Sequence, residues 1–146
     1  MNISNIKEFR ELEKEKLKII KRENELTTPL LTDFSLVKTI SRYFWKIMEE
    51  RKHSLVNSIA FQRKMFLFIL IYLYSPKYFY NNNMAHGFRK VISELFEYNS
   101  ESAISNMGRD IVSQYLIYKD LRNDIDDIIR ELVSMMKLGG IMNTKD

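Results

Sequence analysis

The chain has 146 residues, is 45% hydrophobic and 12% aromatic, and carries a net charge of +4 with a pI near 9.2. That is too apolar for intrinsic disorder and suits one globular unit, while four Gly and two Pro are too few for the turns of an all-β fold. No Cys is present, which excludes disulfides, thiolate metal sites and cysteine nucleophiles and points to a reducing compartment.

The opening MNISNIKEFRELEKEK holds no apolar run, so no signal peptide is expected. The expected location is cytoplasmic, or host cytoplasm and virion for a viral chain. Residues 3–25 read as a long charged helix. Ile3, Ile6, Phe9 and Leu12 recur at three-residue steps, and Leu17, Ile19 and Ile20 continue the stripe among many Lys and Glu. A helix with so narrow an apolar stripe is not stable alone. Residues 1–26 are therefore expected to dock on their own domain, or to join a homo-oligomer or a partner protein.

Thr27-Thr28-Pro29 ends that helix, because Pro29 keeps Thr28 out of the helical region. A globular domain is expected over 33–140. Asp33 is an N-cap for a helix over 34–52 whose inner face holds Phe34, Val37, Ile40, Phe44, Ile47 and Met48. Arg51 and Lys52 suit the negative end of its dipole. Ser58 caps a third helix over 59–75. Its core, MFLFILIYLY, is too short for a bilayer, which needs about 20 residues, and reads as a buried central helix. Ser75-Pro76 stops it. The loop KYFYNNN (77–83) has two readings: rings tucked into the core, or an exposed aromatic and amide patch. A fourth helix runs over 85–97 with Val91, Ile92, Leu95 and Phe96 inward. Ser100 or Ser102 caps a fifth, with Ala103, Ile104, Met107, Ile111, Tyr115 and Leu116 as its buried stripe. A break near Lys119-Asp120 precedes the last helix, which carries Leu121, Ile125, Ile128, Ile129, Leu132, Val133 and Met136 inward. Gly139-Gly140 ends it, and the tail from Ile141 is expected to fray.

The stretch Ile92 to Val112, ISELFEYNSESAISNMGRDIV, reads helix, polar turn, helix. It follows a segment, Arg51 to Ser93, with Arg51, Lys52, Arg63, Lys64, Lys77, Arg89 and Lys90 but no Asp or Glu. Residues 91–112 resemble the helix-turn-helix family. Val91, Ile92, Leu95 and Ile104 would lock the two helices, Ala103 would let them approach, and SAISN is similar to the start of many DNA-reading helices. The turn differs in having no Gly and in bringing Glu101 to the place where phosphates would approach. The resemblance implies that the second helix enters the major groove, with Ser102, Ser105, Asn106 and Arg109 facing DNA and Lys77, Arg89 and Lys90 contacting the backbone.

Asp120, Asn123, Asp124, Asp126, Asp127 and Glu131 form an acidic ridge on the last helix. Paired carboxylates one turn apart are the raw material of two-metal chemistry, but no His joins them and Arg122 and Arg130 stand alongside, so a solvated helix face is expected. His53 and His86 lack partners at metal-ligand spacing and read as surface or capping residues. No phosphate-binding loop, dinucleotide fingerprint or nucleophile elbow appears. The expected fold is all-α: a compact bundle of five or six helices with a central apolar helix and a helix-turn-helix-like pair. The expected function is non-catalytic DNA binding by an oligomer, with no cofactor, no metal and no membrane. A phage small terminase subunit resembles this layout, as does a minor transcription regulator. The alternative is a structural, assembly or interaction protein of a virion or mobile element with no nucleic-acid role, in which residues 91–112 are a plain helical hairpin.

Overall fold

The structure, a computed structural model, describes residues 1–51 and 58–143. Lys52, His53 and the end of the tail, 144–146, lie outside the described residues. Among the described residues the chain forms seven α-helices, one 3₁₀ turn and no strand. These are α1 (Ile3–Leu26), the 3₁₀ turn Phe34–Leu36 leading into α2 (Val37–Glu50), α3 (Ile59–Tyr74), α4 (Tyr78–Asn81), α5 (Phe88–Phe96), α6 (Glu101–Ile117) and α7 (Lys119–Leu138). The all-α expectation holds. The count exceeds five or six because α4 forms inside what reads as a loop at 77–83. No described helix is long and apolar enough to cross a membrane.

α3 is the axis of the fold. Every residue from Met65 to Tyr74 except Tyr72 is buried, as expected for a helix apolar on all sides. α5, α6 and α7 pack against it, and α2 lies along α7. α2 buries Val37, Ile40, Phe44, Ile47 and Met48 at the helical spacing of its sequence. Phe44 stacks on Phe66 at 4.7 Å, and Phe68 stacks on Tyr115 of α6 at 4.4 Å. Each fully buried large side chain contributes about 1.5–3 kcal/mol, so this layer supplies most of the stabilisation.

Caps explain where the helices begin and end. Asn2, Asp33, Ser58 and Ser100 each accept a hydrogen bond from a backbone N–H of the turn they open. Asp33 also fastens the linker to α3, since its carbonyl accepts the Tyr74 hydroxyl at 2.8 Å. α7 ends as the glycine pair requires. Gly140 takes φ +76°, Ile141 N–H donates to the Met136 carbonyl at 2.9 Å, and Gly140 N–H to that of Lys137 at 3.2 Å. The chain beyond does not fray at once, because Met142 returns to the core and is buried.

α1 stands apart. None of its 24 residues is buried. Among the described residues its last turn lies against the bundle, where Glu23, Glu25 and Leu26 share a groove with Tyr72, Pro76, Phe79 and Tyr80.

Candidate nucleic-acid interface

α5 and α6 are joined by a tight reversal. Tyr98 N–H donates to the Ser93 carbonyl at 2.9 Å and Glu97 N–H to that of Glu94 at 3.2 Å. This is the double bond pattern that closes a helix on a left-handed residue. The left-handed residue is Glu97, at φ +59°. A glycine normally takes this position, so the turn lacking Gly in the sequence is made by a strained glutamate instead. Ser100 then opens α6, accepting from Ser102 N–H at 3.1 Å.

Ile104, Gly108 and Ile111 are buried on the inner side of α6. At 100° per residue this turns Ser102, Asn106 and Arg109 outward, and all three are exposed. Ser105 lies between, half-buried. Gly108 allows a close approach, since a Cβ there would stand 2.9 Å from Met84 Cε and 3.0 Å from the Tyr78 hydroxyl. Tyr78 is buried and its hydroxyl donates to the Ser105 carbonyl at 3.4 Å. Burial raises its pKa, opposed by the nearby Arg109 guanidinium.

The remaining cations reach the same region from other elements. Arg89 of α5 donates to the Ser105 hydroxyl at 3.1 Å, and Arg109 donates to the Asn106 side-chain oxygen. Lys90 follows Arg89 and is exposed, and Lys77, just before α4 and adjoining Tyr78, is exposed as well. Hydrogen bonds thus join Arg89, Ser105 and Tyr78 in one set and Asn106 and Arg109 in another, with Lys77 and Lys90 beside Tyr78 and Arg89 in sequence. Carboxylates frame the patch: Glu101 in the first turn of α6, Glu94 and Glu97 on the far side of the turn, and Asp110, which pairs with Lys64 of α3 at 3.4 Å.

Tyr78 and Gly108 escape the sequence reading. A lone Gly in an otherwise periodic helix is the one available signal for Gly108. The loop 77–83 divides between its two readings, with Tyr78 in the core and Phe79 and Tyr80 exposed. On α6, Ile104 and Ile111 are buried and Ala103, Met107 and Tyr115 half-buried as the stripe requires, but Leu116 is 67% exposed. It rims an apolar groove of about 400 Å³ with Phe68, Tyr72, Phe79, Val112 and Tyr115.

Three of the five carboxylates of the α7 ridge are paired. Glu131 meets Arg51 at 2.8 Å, Asp127 meets Arg130 at 2.6 Å, and Asp126 accepts the Tyr115 hydroxyl at 2.6 Å. Burial, then the Asp126 hydrogen bond and charge, push the Tyr115 phenol up to about 12. Burial also raises the Asp124 carboxyl, with Arg51 opposing. Among the described residues no group of three His, Cys, Asp or Glu is placed to hold a metal ion. His86 is exposed in the connection before α5.

No family model, no curated protein and no solved structure matches this chain.

Proposed function

We propose that this chain is a non-catalytic DNA-binding protein of helix-turn-helix type, acting in the cytoplasm as a phage small terminase-like or regulatory protein. The observation that supports this reading is the exposed polar start of α6 with Arg89 of α5 and Arg109 of α6 bonded to its side chains. Ser102, Ser105 and Asn106 face base edges in the major groove. Lys77, Arg89, Lys90 and Arg109 neutralise phosphates, which supply the bulk of sequence-independent affinity. No cofactor takes part.

A labelled duplex of about 30 bp, titrated at about 50 mM salt, tests the proposal. Binding with a dissociation constant of about 100 µM or tighter is expected from phosphate contacts alone. No binding at that salt rejects it. A second reading, an assembly or interaction protein, is favoured by α1, whose apolar residues find no cover in the bundle. Self-association without DNA binding would select it.

A further inference from the structure

α1 is about 36 Å long at 1.5 Å per residue. Six large apolar residues along it, Ile6, Phe9, Leu12, Leu17, Ile19 and Ile20, remain between 41% and 63% exposed. At 100° per residue all six fall within one half of the circumference. The opposite half holds Lys7, Arg10, Lys14, Lys18, Lys21 and Arg22 with Glu8, Glu11, Glu15 and Glu25, and the terminal Ile3 and Leu26. The apolar half is broken in five places. Glu13 and Lys16 sit at its middle, Asn5 near one end, and Glu23 and Asn24 near the other.

The two central interruptions, Glu13 and Lys16, specify a partner. We infer that α1 pairs with α1 of a second copy of this chain, side by side and antiparallel, about a two-fold axis passing between Lys14 and Glu15. In that arrangement each Glu13 lies at the height of the other copy's Lys16. Each Phe9 lies at the height of the other Ile20, and each Asn5 at that of the other Asn24. Leu12 and Ile19 of opposite copies fall on the same side of the seam. Each central charge thereby gains an opposite charge at its own height, and the polar amides share a height at the ends of the seam. Each Glu23 lies at the height of the other Ile6, at the solvent end of the pair. The two helix dipoles also run head to tail. A parallel pair in register would set Glu13 against Glu13 and Lys16 against Lys16 in the middle of the apolar face, and like charges so placed oppose association.

The area is adequate. Taking about 150–200 Å² for a fully exposed large side chain, the six residues offer roughly 500–600 Å² per copy, or roughly 1,000–1,200 Å² in the pair. The stems of Glu13 and Lys16 add to this, bringing the interface to the lower end of the standard range of about 1,200–2,000 Å². Seven cations (Lys7, Arg10, Lys14, Lys16, Lys18, Lys21, Arg22) against six carboxylates (Glu8, Glu11, Glu13, Glu15, Glu23, Glu25) leave α1 nearly neutral. That balance suits a second copy better than a polyanion or an anionic bilayer. The pairing rests on α1 alone and is independent of DNA binding.

The full-length protein tests it by sedimentation equilibrium and by cross-linking. A dimer is expected at about 100 µM, and a monomer at that concentration overturns the inference. Glu13→Lys and Lys16→Glu should each weaken the dimer at least about tenfold, by opposing like charges across the seam. The double exchange Glu13→Lys/Lys16→Glu should recover it, and no recovery overturns the pairing. The chain has no Cys, so Phe9→Cys/Ile20→Cys gives an unambiguous readout on a non-reducing gel. These positions are about 16 Å apart within one helix, too far for an internal disulfide. The double variant should therefore become a covalent dimer, whereas Phe9→Cys alone should not. Cross-linking by Phe9→Cys alone would show a parallel pair, and a dimer that neither variant traps would place the interface elsewhere. Either result refutes the inference.

Discussion

Removing the cations around α6 one at a time gives the sharpest test of the proposed interface. Each phosphate contact contributes about −0.9 to the slope of log affinity against log salt. Lys77, Arg89, Lys90 and Arg109 together set a slope of roughly −3.6 per copy, so a rise from about 50 to about 200 mM salt should weaken binding roughly 150-fold. Arg109→Ala should bring the slope to roughly −2.7 and the same rise in salt to roughly 40-fold. Arg109 is exposed and, among the described residues, its side-chain hydrogen bond goes to the neighbouring Asn106, so its loss should cost within about 0.5 kcal/mol of stability. Weaker binding would then not reflect unfolding. Lys46→Ala, exposed on α2, is the control and should leave the slope unchanged. Fluorescence anisotropy on a labelled duplex across a salt series reads all three proteins. Equal slopes for the Arg109 and Lys46 variants would show that Arg109 touches no phosphate and would refute the proposed docking of α6 even if the protein bound DNA.

Other consequences concern the scaffold. Gly108→Ala gains about 1 kcal/mol of helix propensity, but its Cβ meets the buried Tyr78 ring at 3.0–3.3 Å. A net loss of about 1–2 kcal/mol in urea denaturation is expected, and adding Tyr78→Phe should return part of it; a more stable single variant contradicts the close approach. Glu97→Gly relieves the left-handed glutamate and should raise stability by about 0.5–1 kcal/mol, seen as a higher Tm. Phe66→Ala, in the middle of α3, should cost about 3–5 kcal/mol, and a loss under 1 kcal/mol would deny α3 its central place. In alkali, the Tyr74 and Tyr115 phenols are both held above their ordinary 10.0, chiefly by burial. The folded protein then keeps protons that the unfolded chain releases, so this stabilisation is complete below pH 10 and is lost as pH rises toward 12. Tyr115 is partly open to solvent, so its share is discounted to under about 1 kcal/mol. Tyr115→Phe should flatten the decline of Tm over that interval, and an unchanged decline would argue against the shift.

Most of the helical plan was legible in the sequence because it rests on local chemistry. Asp33, Ser58 and Ser100 cap where short polar side chains precede apolar periodicity, and α2 and α7 bury the residues that their spacing selects. What was not legible depends on contacts distant in the chain. α4 is only four residues long and persists because Tyr78 reaches α6 across Gly108, a pairing that no local pattern encodes. Leu116 lies about 140° around the helix from the buried Ile111, so it rims the groove beside Phe68 and Tyr72 rather than entering the core and stays exposed. Glu97 takes a conformation that its side chain disfavours, because the Ser93 and Glu94 carbonyls need donors and the connection to α6 is short. At the candidate interface, the exposed positions on α6 followed from helical periodicity. The contact between Arg89 and Ser105 did not, because it depends on the angle between α5 and α6.

That contact, with the one between Arg109 and Asn106, sets terms on how α6 could meet DNA. An asparagine reads adenine by accepting at its oxygen while donating from its nitrogen. The Asn106 oxygen is taken by Arg109, and the Ser105 hydroxyl already accepts from Arg89. Contact with phosphates alone leaves both internal bonds in place, because each guanidinium keeps further donors for a backbone oxygen. Arg109 occupies one of the two lone pairs of the Asn106 oxygen and restricts the approach of a base, so base reading is favoured when Arg109 releases Asn106 and its guanidinium finds a phosphate at the same moment. On this argument the patch binds duplex readily and discriminates sequence weakly, and Arg109→Ala should reduce overall affinity while freeing Asn106 to read adenine. Competition between AT-rich and GC-rich duplexes measures the outcome. A variant that loses affinity with no gain in preference would mean that Asn106 does not reach the bases.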